Sequence, residues 1–277
     1  MASLTRCQPH LGTYVEVTVS ADTSDERLID ASNAAFSAIE KIDRLMSFHS
    51  VESELTMINK TASQQPVQIS SDMNFVIEQA LFLSRNTNGV FDITIAPELI
   101  TNNLLPDHGL DFSESGTWKD IILSNAQIQF KQPVLLDLGG IAKGYAVDCA
   151  ITAVEETIDI TVNAGGDLRM RPWRDKHVSM RHPESPRSVF VDTVMENCAS
   201  ATSASYDSNI DSIIISRDSQ PNQMNLNNKS VTVFAENCLT ADALTKVAYL
   251  NPDMLRRNTF SGVRFASLDS AGTVTWD

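Results

Sequence analysis

Long apolar runs are missing from this chain: nowhere do 18 apolar residues follow one another, so no segment is expected to span a bilayer as a helix. The first residues, MASLTRCQPHLGTY, lack the apolar stretch of a signal peptide. The expected compartment is the cytoplasm as the chain is written, or the periplasm if an export signal has been removed. Positive charge is also scarce. The 21 Lys and Arg face 35 Asp and Glu, a formal net charge of -14, which repels phosphate backbones and anionic lipid heads and leaves neither nucleic acid nor a membrane surface as a general partner. A local cationic pocket stays compatible with that balance.

Cysteine is sparse. Cys7, Cys149, Cys198 and Cys238 form no C-x-x-C pair and have no histidine at ligand spacing, which argues against a zinc cage. They are expected to be buried free thiols, with a disulfide left open. A G-x-G-x-x-G fingerprint is absent, so a Rossmann dinucleotide site is not supported. Internal repeats and low-complexity segments are absent too.

What the chain does have is 277 residues at 42% apolar content, enough for one large domain or two intimately packed lobes. GTYVEVTVS (12–20) alternates as a half-buried strand. Thr23-Ser24-Asp25-Glu26 has capping-box form ahead of Leu28, Ile29, Ala35, Ile39, Ile42 and Met46, the spacing of a long amphipathic helix. A second helix is expected over about 72–85, ending at Asn86-Thr87-Asn88-Gly89. IILSN and IQFKQ predict a hairpin. A strand is expected over 134–138, a helix over 141–156 and a strand over 158–163. Downstream, HVSMRH, SVFVDT, SIIIS, SVTVFA, VRFAS and TVTW read as strands and LTADALTKVAYL as a helix with Thr240 as candidate cap. SRDSQPNQMNLNNKS (216–230) reads as a polar loop, a lid or simply an exposed connection. Segregated strands with a few long helices predict an α+β fold.

Four stretches could carry chemistry. In LLDLGGIAKGYAVD, Gly139 and Gly140 admit close approach to the backbone, the following helix offers unpaired N–H groups, and Lys143 adds a charge, a setting suited to an anion. A tight turn with a solvated lysine fits the same residues. VNAGGDLR repeats the glycine pair, flanked by Asn163 and Asp167. In NTNGVFDITIAP, an aromatic and a carboxylate adjoin at Phe91 and Asp92, able to stack on and accept from a flat ring, although a phenylalanine there also suits a core. In ENCLTADALTKVAYL, Asp242, Thr245 and Lys246 share one helix face. A carboxylate and a hydroxyl so placed can share Mg2+, and Asp242–Lys246 can equally be a surface ion pair.

Taken in order, LGTYVEVTV, LMSFHSVESELTMIN, NGVFDITIAP, LLDLGGIAKGYAVD, VNAGGDLR, ATSASYD and TADAL resemble the FAD:protein FMN transferases of the ApbE family, over about residues 11 to 250. The resemblance implies a single α+β domain of T-fold-like type over 1–277, with mixed or antiparallel sheets. It implies FAD as substrate and Mg2+ as cofactor, and transfer of FMN from FAD to a threonine hydroxyl of an acceptor flavoprotein, with release of AMP.

Carried over by position, the flavin contacts fall at Leu11 in Leu11-Gly12-Thr13, at His49, and at Val90, Phe91 and Asp92. Gly139 and Gly140 approach the pyrophosphate, with Lys143 and Tyr145 near the dinucleotide. The metal set becomes the Ala142 carbonyl, Asp242 and Thr245, and Asp242 and Thr245 are the catalytic candidates. The sequence departs from the family pattern in two places. Lys246 stands where a threonine follows the aspartate by four residues. The run IDSIIISRDS, with Ser212, Ile215 and Ser216, stands where an H-x-x-D-P segment is usual. The same resemblance therefore admits two alternatives, a relative that binds FAD or another nucleotide without transferring it and a Mg2+-dependent FAD pyrophosphatase.

Overall fold

The computed structural model describes residues 1–183, 185–204, 229–256 and 260–277. The chain begins with β1 (Ala2–His10), β2 (Thr13–Ala21), α1 (Asp25–Met46), α2 (Glu54–Thr61), β3 (Val67–Gln68), α3 (Ser71–Asn86) and α4 (Ala96–Thr101). The hairpin β4 (Ile121–Ser124) and β5 (Gln127–Phe130) precedes α5 (Ala142–Ala153), β6 (Asp159–Ala164), β7 (Asp167–Arg171), β8 (His177–His182), β9 (Ser185–Val194) and β10 (Ala199–Ala204). Last come β11 (Lys229–Ala235), α6 (Cys238–Leu250), α7 (Pro252–Arg256), β12 (Arg264–Asp269) and β13 (Val274–Trp276). Among the described residues no helix is long and apolar enough to cross a membrane.

Eight strands form one sheet in the order β1-β2-β6-β7-β10-β11-β12-β13, and every pairing is antiparallel. Smaller sheets are β3-β5-β4 and β8-β9. The expected α+β class is what the chain adopts. β2 shows why the alternation was readable: Val15, Val17 and Val19 are fully buried while Tyr14 is exposed. Their valines pack with Leu28, Ala35, Phe36 and Ile39 of α1 and with Val147, Ala150 and Ile151 of α5. A second, larger core gathers α2, α3, the β4–β5 hairpin, β11 and α6.

Several expectations are corrected. β1 was not anticipated, because an edge strand with Arg6 and Gln8 on a half-exposed face has no strong apolar signature. Residues 134–138 form no strand. Leu136 exchanges both its backbone bonds with the Asn59 side chain, and Asp137 N donates to Ile93 O, so side chain and loop take the place of a ladder. The Phe91 segment is likewise turns and bends rather than extended chain. Helix α1 is capped by Ser24, and α6 by Asn237, whose side chain accepts from Thr240 N at 2.8 Å, so that Thr240 lies inside the helix. The four cysteines are free, but only Cys238 is buried: Cys149 and Cys198 are half-buried, and Cys7, on the edge strand, is exposed. The SIIIS strand and residues 216–228 of the polar loop lie outside the described residues.

Candidate active site

Helices α5 and α6 meet at a glycine. A Cβ on Gly144 would lie 2.3 Å from the Cys238 carbonyl oxygen and 2.9 Å from Asp242 Cβ, so only glycine allows this approach. Gly144 N–H then donates to Asp242 Oδ2 at 3.1 Å. One turn on, the two carboxylate oxygens of Asp148 accept the Cys238 and Leu239 N–H groups, each at 2.9 Å, and close the start of α6. These bonds fix the register in which Lys143 and Asp242 face each other.

The β6–β7 turn adds the third partner. Gly165 and Gly166 both have positive φ, 65° and 107°, and the tight reversal sets Asp167 at the head of β7. Lys143 Nζ lies 2.7 Å from Asp167 Oδ2 and 3.6 Å from Asp242 Oδ2. From the following turn of α6, Lys246 Nζ donates to Asp242 Oδ1 and, at 2.9 Å, to the Asp242 carbonyl oxygen. Asp242 is completely buried. Burial opposes its charge, but Lys143 and Lys246 outweigh burial and hold its pKa below the ordinary carboxylate value. At Asp167, burial and the neighbouring Asp242 charge prevail over the lysines and raise the pKa. Burial depresses the Lys143 pKa, yet Asp167 and Asp242 more than compensate and raise it.

Beside this cluster lies a narrow cleft of about 40 Å³, lined among others by Val90, Phe91, Asp137, Gly140 and Lys246. A Cβ on Gly140 would stand 3.5 Å from Lys246 Cε and 3.6 Å from the Phe91 ring, so the bare backbone leaves a gap between an aromatic face and an ammonium stem. No side chain caps α5; the Ala142 N–H goes to Leu138 O, and the positive end of the helix abuts the cleft. Burial raises the Asp137 pKa against the Gly139 N–H and the charges of His49, Lys143 and Lys246.

The expected residues divide into groups. Gly139, Gly140, Ala142, Lys143, Asp242 and Thr245 come together, with Val90 and Phe91 across the cleft. His49 is exposed, and its charge is felt at Asp137. Asp92 also lines the cleft, and its buried carboxylate accepts the Thr94 N–H and hydroxyl at 2.8 and 2.7 Å, a use that shapes the loop. Leu11 occupies the β1–β2 turn at φ 56°, with its N–H on Asp43 Oδ2 at 2.9 Å. The next turn residues bring Thr13 against Gly165, whose Cβ would lie 2.7 Å from Thr13 Oγ1.

Tyr145 is elsewhere. Residues two apart on a helix point roughly 200° apart, so Tyr145 faces α3, with its hydroxyl on Asp72 at 2.8 Å and its ring 5.4 Å from that of Phe75. There it lines a separate cavity of about 510 Å³ with Cys149, Arg169 and Leu239. Asp137 and Asp167 were not among the expected site residues. Their only sequence signal is an acid within two residues of each glycine pair.

The proposed metal donors do not fit a hard divalent cation as they stand. Asp242 Oδ1 holds Lys246, and Oδ2 holds Gly144 N–H beside Lys143. Thr245 Oγ1 donates to the Asp242 carbonyl oxygen at 2.7 Å and lies 2.6 Å from Ser203 Oγ. Mg2+ needs oxygen atoms free to coordinate it, and two ammonium groups already stand at this carboxylate. Among the described residues no group of three or more His, Cys, Asp or Glu side chains could hold a metal. Ser212, Ile215 and Ser216 lie outside the described residues.

The profile of the ApbE family matches residues 11–257, nearly the whole chain. The chain belongs to the ApbE family. Among curated ApbE-type relatives, the FAD:protein FMN transferase of Vibrio cholerae serotype O1 is 26% identical over 232 residues, 74% of this chain and 69% of that protein. The enzyme of the same name from Haemophilus influenzae is 26% identical over 274 residues, covering 85% and 77%. The chain has the fold of solved ApbE structures. The ApbE protein of Thermotoga maritima superposes with a TM-score of 0.83 at 22% identity, covering 99% of this chain and 96% of that one. The flavin transferase ApbE from Vibrio cholerae gives 0.79 at 20% identity, covering 100% and 96%.

Proposed function

We propose that the chain is an FAD:protein FMN transferase acting as one domain over residues 1–277. The observation that carries this reading is the convergence of Phe91, Gly140, Lys143, Lys246 and Asp242 at the bare end of α5, in a chain of the ApbE family. The flavin ring stacks against the Phe91 side, with Val90, Leu11 and His49 as further contacts. The diphosphate lies over the Gly139-Gly140 turn, where the helix pole and the two lysines offset its charge; the Gly139 N–H itself is held by Asp137 Oδ2 at 3.1 Å.

In the reaction a threonine hydroxyl of an acceptor flavoprotein attacks the phosphorus on the FMN side. A new P–O ester bond forms, the anhydride P–O bond breaks, and AMP departs with the electron pair. The hydroxyl proton needs an acceptor. Asp242, held ionised by two ammonium groups, is a weak base. Asp137, with its raised pKa at the cleft, is the better matched carboxylate. The Mg2+ implied by the resemblance would meet two ammonium groups at Asp242 and a Thr245 hydroxyl already engaged with the Asp242 carbonyl oxygen and Ser203.

The test is incubation of the full chain with FAD and an acceptor domain carrying a target threonine. Flavin fluorescence on the denatured acceptor and one AMP per flavin transferred are expected. FAD bound without covalent transfer would instead favour the binding-only relative, and FMN plus AMP formed without acceptor would favour a pyrophosphatase.

A further inference from the structure

A carboxylate that serves a divalent cation keeps a face open to it, and here an ammonium stands at each oxygen of Asp242, Lys246 at Oδ1 and Lys143 3.6 Å from Oδ2, so a cation would meet two like charges. The group that takes Oδ1 is part of the same helix, one turn away, and carries a full positive charge. Lys246 is not a solvated surface partner. Only 22% of its side chain is exposed, against 0% for Asp242, and its stem packs beside Gly140 on the wall that also holds Phe91 and Asp137. An ammonium has three N–H donors, and two of them go to Asp242, leaving one for the cleft. Lys143 reaches the opposite oxygen of the same carboxylate from α5.

Resting on the flavin-transferase reading, we propose that Lys246 is an internal cation: its ammonium holds the place and charge of a divalent ion at Asp242, and its remaining N–H meets the FAD diphosphate, so FAD binding needs no metal. A threonine at 246 would free Asp242 Oδ1 and set a hydroxyl one turn away, an oxygen pair that a hard cation can share. Metal dependence in this chain thus turns on a single side chain.

The test uses the full chain, freed of metal by chelation. Mn2+ alone, followed by paramagnetic resonance, is expected to find no saturable site in the natural chain and to gain one in Lys246→Thr. FAD titrations followed by flavin fluorescence are expected to give the natural chain the same Kd in EDTA and in Mg2+, within about twofold. In Lys246→Thr the affinity in EDTA should fall by about ten- to a hundredfold, the worth of one charge-assisted hydrogen bond, and Mg2+ should recover part of the loss. Lys246→Arg keeps the charge and should stay indifferent to metal.

Saturable Mn2+ binding by the natural chain, or an FAD affinity raised tenfold or more by Mg2+, would overturn the proposal. So would a Lys246→Thr chain that neither loses FAD affinity nor gains a metal site. The arms on the natural chain decide even if that variant fails to fold. If FAD binds under neither condition, the flavin reading falls, and the Mn2+ arm still decides the role of Lys246.

Discussion

The Gly144 N–H lies 3.1 Å from Asp242 Oδ2 and ties together two residues 98 positions apart. This bond exists because α5 and α6 touch where Gly144 has no side chain. Gly144→Ala puts a methyl group 2.3 Å from a carbonyl oxygen, a contact that only separation of the helices relieves. A loss of about 1–3 kcal/mol is expected from overpacking, read as a lower urea midpoint with an unchanged slope. FAD affinity should fall with it, since the shift also moves Lys143 off Asp242.

Lys143 stands between two buried carboxylates. Lys143→Met keeps most of the stem but leaves Asp167 next to Asp242 with only Lys246 as counter-charge. Breaking a buried pair from one side costs about 3–5 kcal/mol, and with 29% of the lysine side chain exposed the lower end is expected. Adding Asp167→Asn should restore part of the loss, a coupling that a double-mutant cycle measures directly. The pH sign is fixed by the raised Lys143 pKa: its contribution is full below the ordinary 10.5 and fades only as pH climbs through the higher folded value.

Asp137 gives the pH dependence of the reaction. Its folded pKa lies above the usual 3.8, because burial outweighs the Gly139 N–H and the charges of His49, Lys143 and Lys246. As a proton acceptor it works only when ionised, so the acid limb of kcat for flavin transfer should sit above the ordinary aspartate range. Asp137→Asn should remove that limb and lower kcat by about a hundredfold or more. Stability should move the other way. A raised carboxyl penalises the folded state increasingly as pH rises through its folded pKa, so the asparagine variant should gain on the natural chain toward neutral pH. An unchanged kcat profile in the variant would remove Asp137 from the reaction.

How much of this could be read from residues alone differs by element. The Gly139-Gly140 turn, the α1 stripe and the β4–β5 hairpin follow from local chemistry, and all three are formed. The 134–138 run failed because an apolar stretch is the same whether a strand or the Asn59 side chain satisfies its backbone. Spacing put Asp242 and Lys246 on one face but could not give burial, which separates an exposed ion pair worth a few tenths of a kcal/mol from a carboxylate with no solvent contact. Asp167 reaches Lys143 only through the pairing of β6 with β7, and Tyr145 turns to α3 because its helix packs on more than one side. Contacts set by sheet order and helix rotation carry no local signature.

Gly140 separates the needs of the fold from those of the site. Unlike Gly144, it is not pressed by backbone: a Cβ there would meet Lys246 Cε at 3.5 Å and Phe91 Cε2 at 3.6 Å, ordinary contact distances. Gly140→Ala should therefore leave the unfolding midpoint within about 0.5 kcal/mol of the natural chain, the usual range for a substitution that strains nothing. Gly140→Leu has the same backbone but sends its branches into the gap between Phe91 and Lys246. If that gap admits the dinucleotide, the leucine should weaken FAD binding by tenfold or more, about 1.4 kcal/mol, with far less effect on stability. Equal FAD affinity in the natural chain and in the alanine and leucine variants would place the nucleotide elsewhere on the molecule, because no ligand could lie over residue 140 and be indifferent to four carbons replacing a hydrogen.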